Sequence, residues 1–194
     1  MTYFEYSAIY VGILVGLSLS NILLSIHKLL EAAARVRWHW MAPATAFYAA
    51  TITLGAFWSL WVRRGDDAHY IFLSYLPRAL ALGILFLTCA ASLPDDVPES
   101  GLDLRAYYFA NRHRFWGLAT GTHVLNLTSW LVGLVQSGFD SGAVSQSFLP
   151  IIGNAIEAAI SLSLIFVRAA WWHTIGIVAM LAWLLLYFGP MPLN

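Results

Sequence analysis

Charge is what this chain has least of. Lysine and arginine number 10, aspartate and glutamate 10, so charged side chains make up only 10% of 194 residues and cancel to zero. Soluble domains carry about a quarter charged residues, and a water-soluble globule is excluded on that ground. Zero net charge also leaves no electrostatic footprint for nucleic acid, which is not expected as a partner. Cysteine occurs once, as Cys89 within an apolar run, which excludes an internal disulfide and any multi-cysteine metal site. Signature motifs are missing too. There is no His-Glu-x-x-His, no Gly-x-Ser-x-Gly, no phosphate-binding glycine loop and no dinucleotide fingerprint. The sequence therefore gives no positive case for an enzyme.

What the chain has instead is apolar residues, 60% of the total, with a mean hydropathy of +0.70. They fall in runs at about 7–26, 40–62, 70–92, 115–136, 147–167 and 171–189. Each run is long enough to cross the ~30 Å hydrocarbon layer as a helix rising 1.5 Å per residue. Runs such as Gly176 to Phe188 are apolar on every side, which excludes a β-barrel with its alternating short segments. The expectation is an all-α polytopic membrane protein, a single six-helix transmembrane bundle over residues 1–194. The first run follows Met1 closely with no basic residue ahead of it, and is read as a retained helix rather than a cleaved signal.

Basic residues concentrate on alternate connections. Lys28, Arg35, Arg37, Arg105, Arg112, Arg114 and Arg168 fall on one side, against Arg63, Arg64 and the slightly deeper Arg78 on the other. The positive-inside rule then puts the connections after helices one, three and five in the cytoplasm, with both termini outside. Trp38, Trp40, Trp116, Trp171 and Trp172 lie near the predicted cytoplasmic interface, and Trp58, Trp61, Tyr70 and Tyr187 near the other, as aromatic belts do.

The longest connection begins with a turn rich in prolines and acids, Leu93-Pro-Asp-Asp-Val-Pro-Glu-Ser-Gly. Asp103 is then placed to cap a short interfacial helix running into the fourth span. Arg105, Arg112, His113 and Arg114 on that segment are candidate contacts to anionic lipid or to a partner protein. The stretch from Leu93-Pro-Asp-Asp through Asp103-Leu-Arg-Ala-Tyr-Tyr-Phe-Ala-Asn-Arg-His-Arg-Phe resembles one in small, uncharacterised bacterial polytopic inner-membrane proteins. The resemblance implies a bacterial inner-membrane setting and no activity.

Several polar residues fall at a common predicted depth. Asn154, Glu157 and Ser161 share a face of span five, His123 and Asn126 a face of span four, and Ser18, Asn21 and Ser25 a face of span one. A glutamate or histidine facing lipid costs several kcal/mol, so Asn21, His123, Asn126, Asn154 and Glu157 are expected to converge. Arg78, beside Pro77 in span three, is long enough to reach Glu157 and cancel its charge.

These residues point to a small channel or transporter for a proton, an ion or a small polar solute. Glu157 is the central charge, Arg78 its counter-ion, His123 the titrating partner and the asparagines hydrogen-bond donors. The alternative is a non-catalytic subunit or scaffold that assembles with itself or with a membrane partner. It would use the small-residue stripes Gly12-Gly16-Ser20 and Gly117-Gly121. No cofactor is predicted. A b-type haem held by His123 with His27, His39 or His173 is a lesser reading, as is lipid chemistry at Asp95, Asp96, Asp103 and His113. Arg37-Trp-His-Trp and Arg168-Ala-Ala-Trp-Trp-His are similar openings of spans two and six, consistent with a duplicated hairpin or with shared interfacial preferences.

Overall fold

A computed structural model describes residues 3–62 and 72–189. Arg63, Arg64, Asp66, Asp67 and Tyr70 lie outside the described residues, as do the last residues of the chain. The described chain is helical almost throughout, with α1 (Tyr3–Glu31), α2 (Met41–Val62), α3 (Phe72–Ser92), α4 (Leu104–Gln136), α5 (Ser141–Phe166) and α6 (Ala170–Phe188). Two short strands, β1 (Val36–Arg37) and β2 (Leu102–Asp103), pair in parallel.

The surface supports a membrane protein. Leu186 and Phe166 are each 74% exposed, and Leu23, Leu24, Val135 and Phe148 are bare as well. An apolar exterior on this scale has no place in water. Four helical segments are long and apolar enough to cross a bilayer, namely Ser7–Glu31, Leu104–Gln136, Ser141–Phe166 and Ala170–Phe188. Within α3, Leu76–Ser92 is a further apolar helical segment among the described residues. In α2, Tyr48, Thr45, Thr51 and Thr53 dilute an otherwise apolar sequence.

The expected interfacial helix is not a separate element. From Leu104 to Gln136 the chain is one 33-residue helix, because no proline interrupts it and its first turn is well capped. Asp103 accepts hydrogen bonds from the backbone N–H of Arg105 (2.8 Å) and Ala106 (3.0 Å). The helix ends where Gly138 and Phe139 adopt φ of 64° and 60°. Asp140 then caps α5 through the N–H groups of Gly142 and Ala143.

Helix contacts arrange the bundle as two rows of three, α1–α2–α6 against α3–α4–α5. The middle helices can approach closely because Ala42, Ala46 and Ala49 give α2 a buried face of methyl groups. Buried hydroxyls bond their own helix: Thr45 donates to the Ala42 carbonyl, Thr53 to Ala49 and Thr88 to Ile84, each at 2.8–2.9 Å. Each hydroxyl is thereby satisfied within its own helix, and Thr53 also meets Cys89 Sγ of α3 at 3.3 Å.

The two ends of the bundle differ. At one end the α1–α2 and α3–α4 connections are joined by the register Val36↔Leu102 and Arg37↔Asp103. Lys28 adds bonds to the Asp96 carboxylate (2.9 Å) and the Asp95 carbonyl (2.8 Å), and Arg37 lies 3.5 Å from Asp103. The α5–α6 connection reaches the same end, so Lys28, Arg35, Arg37, Arg105 and Arg168 are gathered there. This strand end also holds a closed chain of hydrogen bonds. Trp116 Nε1–H donates to the Tyr108 hydroxyl (3.1 Å), which lies 2.6 Å from His173 Nδ1, while His173 Nε2 lies 2.9 Å from the Val167 carbonyl. A carbonyl only accepts, so Nε2 carries the proton and Nδ1 accepts from Tyr108.

Candidate functional site

The opposite end of the bundle contains a cavity of ≈ 220 Å³ between the two rows, lined by all six helices. Arg78, His123, Asn126, Asn154 and Glu157 line it together. Five of the six polar residues singled out from the sequence thus share one space. Asn21 does not join them. The lining contribution of α1 comes from Ser7 and Val11, and ten further residues carry the helix about 15 Å toward the strand end before Asn21 is reached. Its Oδ1 is buried there with no hydrogen-bond partner.

Two buried side chains of the cavity wall, His123 on α4 and Glu157 on α5, are backed by Tyr48 on α2. Glu157 is 5% exposed, His123 2% and Tyr48 0%. The Tyr48 hydroxyl lies 2.7 Å from His123 Nε2, and His123 Nδ1 lies 3.4 Å from Glu157 Oε2. With Tyr48 donating, the neutral imidazole carries its proton on Nδ1, facing the carboxylate. At 3.4 Å the two groups are in contact without forming a hydrogen bond. Accordingly both His123 Nδ1 and Glu157 Oε1 are buried without a hydrogen-bond partner. Asn154 lies beside His123, and its side-chain amide donates to the Pro150 carbonyl at 2.8 Å.

Arg78 occupies another wall of the same cavity. Its Nε–H donates to Ser129 Oγ at 2.7 Å and its guanidinium sits 5.6 Å from the centroid of the Trp130 ring. The side chain beside the Glu157 carboxyl is the His123 imidazole, where the sequence reading gave that place to Arg78. Pro77 and Arg78 lie a few turns nearer the open end of α3 than Glu157 does on α5, and Ser129 on α4 intervenes as the nearer acceptor. The aromatic wall comes from Trp130, Trp183, Tyr187 and Phe188. Gly153 admits it, since a Cβ there would stand 2.7 Å from Trp183.

Two members of this site escaped sequence reasoning. Tyr48 sits in a run of small and apolar residues that does not single it out. Its signal is a phenol one helix away from His123 at matching depth. Ser129 carries no signal above the many other serines of the chain.

The other described histidines are separately placed, and His69 lies outside the described residues. Both ring nitrogens of His173 are engaged at the strand end, His27 lies 3.4 Å from Glu31, His39 stacks on Trp40, and His113 is exposed. The acids considered for lipid chemistry are also dispersed, Asp96 to Lys28 and Asp103 to the α4 backbone and Arg37. Among the described residues no group of three or more histidine, cysteine or acidic side chains is placed to hold a metal ion.

Arg112, His113 and Arg114 do not act as one cluster. Arg112 is buried, 8% exposed, and donates from Nη1 to the Phe109 carbonyl at 2.7 Å, whereas His113 and Arg114 point outward. Successive helical residues are rotated by about 100°, which separates them. No protein-family model, curated protein or solved structure matches the chain.

Proposed function

We propose that the protein is a small membrane transporter that admits a proton or a small polar solute into the cavity and binds it at Glu157 and His123. One observation carries the reading: a buried carboxylate oxygen and a buried imidazole nitrogen, both without hydrogen-bond partners, border a space that Arg78, Asn126 and Asn154 also line. Buried polar atoms in folded proteins are nearly always partnered, and a polar occupant of the cavity would satisfy both. The volume is below the ~300–1,000 Å³ of sites for drug-sized molecules, so the occupant is small. Carboxylate and imidazole together are neutral both as acid plus imidazole and as carboxylate plus imidazolium. One further proton gives the pair a positive charge, which a coupled solute would feel.

In this reading all six helices span the bilayer and the strand end faces the cytoplasm of a bacterial cell. The basic connections gathered there support that orientation. Glu157→Gln keeps the volume and removes the charge. In proteoliposomes it should lower flux at least about tenfold while the melting profile holds. Unchanged proton and solute flux in the folded variant would overturn the proposal.

A second reading, assembly with another copy or with a partner subunit, is favoured by α1. Gly12 and Gly16 have nothing within 4 Å of where a Cβ would stand, so this small-residue face looks outward from the bundle. Gly12→Leu with Gly16→Leu should leave the bundle folded. If assembly uses this face, the mass measured for the detergent-solubilised particle should fall to that of one chain.

A further inference from the structure

We infer that Arg105, Arg112 and Arg168 form a binding site for the phosphate of an anionic phospholipid at the strand end. The inference stands independently of the cavity and its proposed function. The three arginines and the first residue of α6, Ala170, line one open depression together with Phe109. Arg105, Phe109 and Arg112 follow the i, i+4, i+7 spacing of one face of α4. Arg168 is brought to that face by the three-residue connection between α5 and α6.

Three features suit this place to a phosphodiester. Among the described residues, no carboxylate lies within 4.0 Å of any of the three arginines, so the charges are not already cancelled. Arg112 is more than nine-tenths buried, yet its Nε–H has no acceptor. A buried guanidinium N–H without an acceptor is costly, and a phosphate oxygen in the depression would accept from it in the forked geometry that arginine favours. Finally, α6 begins without a side-chain cap: the Ala169 carbonyl accepts from Trp172 and His173, and its methyl side chain offers nothing to the N–H groups ahead of them. That positive helix end adds to the field of the guanidiniums.

The surroundings favour lipid over a free anion. Phe166 (74% exposed) and Trp171 (64% exposed) flank Arg168 on either side in sequence, giving acyl chains an apolar surface beside the charged depression. The sequence alone grouped Arg112 with His113 and Arg114. The fold regroups it with Arg105 and Arg168, and this lipid site excludes the other two.

Native mass spectrometry of the full chain with added phosphatidylglycerol, phosphatidylcholine or inorganic phosphate tests the inference. Phosphatidylglycerol should be retained about tenfold more strongly than phosphatidylcholine, and should alone raise the melting midpoint. Arg105→Gln with Arg168→Gln, both exposed positions, should lower that retention at least about tenfold. Arg35→Gln with Arg114→Gln removes the same charge from the same end and should change it less than about twofold. Equal losses in the two double variants, or equal binding of the two lipids, would reduce the effect to diffuse attraction and overturn the site. Inorganic phosphate binding as tightly as phosphatidylglycerol would also overturn it, by reassigning the depression to free anions.

Discussion

Buried tyrosines decide where the histidines of this protein stop being interchangeable. His173 is locked by Tyr108 on one nitrogen and the Val167 carbonyl on the other, a fully satisfied arrangement with no spare donor or acceptor. His123 meets Tyr48 at Nε2 and keeps Nδ1 facing Glu157. The first arrangement is structural, and the second is open to a further partner. Tyr108→Phe should therefore orphan both His173 Nδ1 and Trp116 Nε1–H, at a cost of about 1–3 kcal/mol for each unsatisfied group, read as a lowered unfolding midpoint in detergent. Legibility at this scale follows the same physics. Glu157, His123, Asn126, Asn154 and Arg78 are visible in the sequence because hydrocarbon makes each of them expensive wherever it is not turned inward. The partner each one finds is not visible, because it depends on how α3, α4 and α5 are rotated about their axes. Arg78 reached Ser129, and Glu157 reached His123.

Among the elements, α4 shows how much a single cap decides. Its 33 residues are about 50 Å of helix, well beyond the ~30 Å of a hydrocarbon layer. The part that projects is the part the sequence suggested as a separate interfacial helix. The Asp103 carboxyl that starts it is held below the ordinary carboxylate range by the Ala106 and Arg105 N–H groups, with a smaller contribution from Arg37. Because the folded value lies below the unfolded one, this contribution is present in full above the unfolded value of about 4 and is lost as pH falls through the folded value. The protection of the Arg105 and Ala106 amides against exchange, relative to their intrinsic rates, should fall on acidification below about pH 4, and Asp103→Asn should flatten that dependence. Gly101, at φ +91°, closes the turn ahead of the cap, and a Cβ there would stand 3.0 Å from the Arg35 carbonyl oxygen. Gly101→Ala should cost about 1–2 kcal/mol, whereas Gly117→Ala, with nothing within 4 Å, should be neutral or mildly stabilising in the same unfolding assay. Turn residues made Gly101 and Asp103 recognisable in advance. The parallel pairing of two-residue strands was not, because so short a segment has no periodicity to read.

For the whole molecule, the alternation of basic connections anticipated which loops share an end, and the structure gathers the 32–40, 93–103 and 167–169 connections together. The two-row arrangement was beyond the sequence, since runs that are apolar on all sides do not declare their neighbours. This arrangement also makes the protein unequal lengthwise. Strand pairing, the Lys28 and Arg37 ion pairs and the Tyr108–His173 bond all fasten one end, and the polar hollow occupies the other. If a solute travels the full length, the laced end is what must come undone. Turnover would then follow the lifetime of that lacing rather than the speed of proton exchange at Glu157, and loosening it should quicken passage and make it less selective.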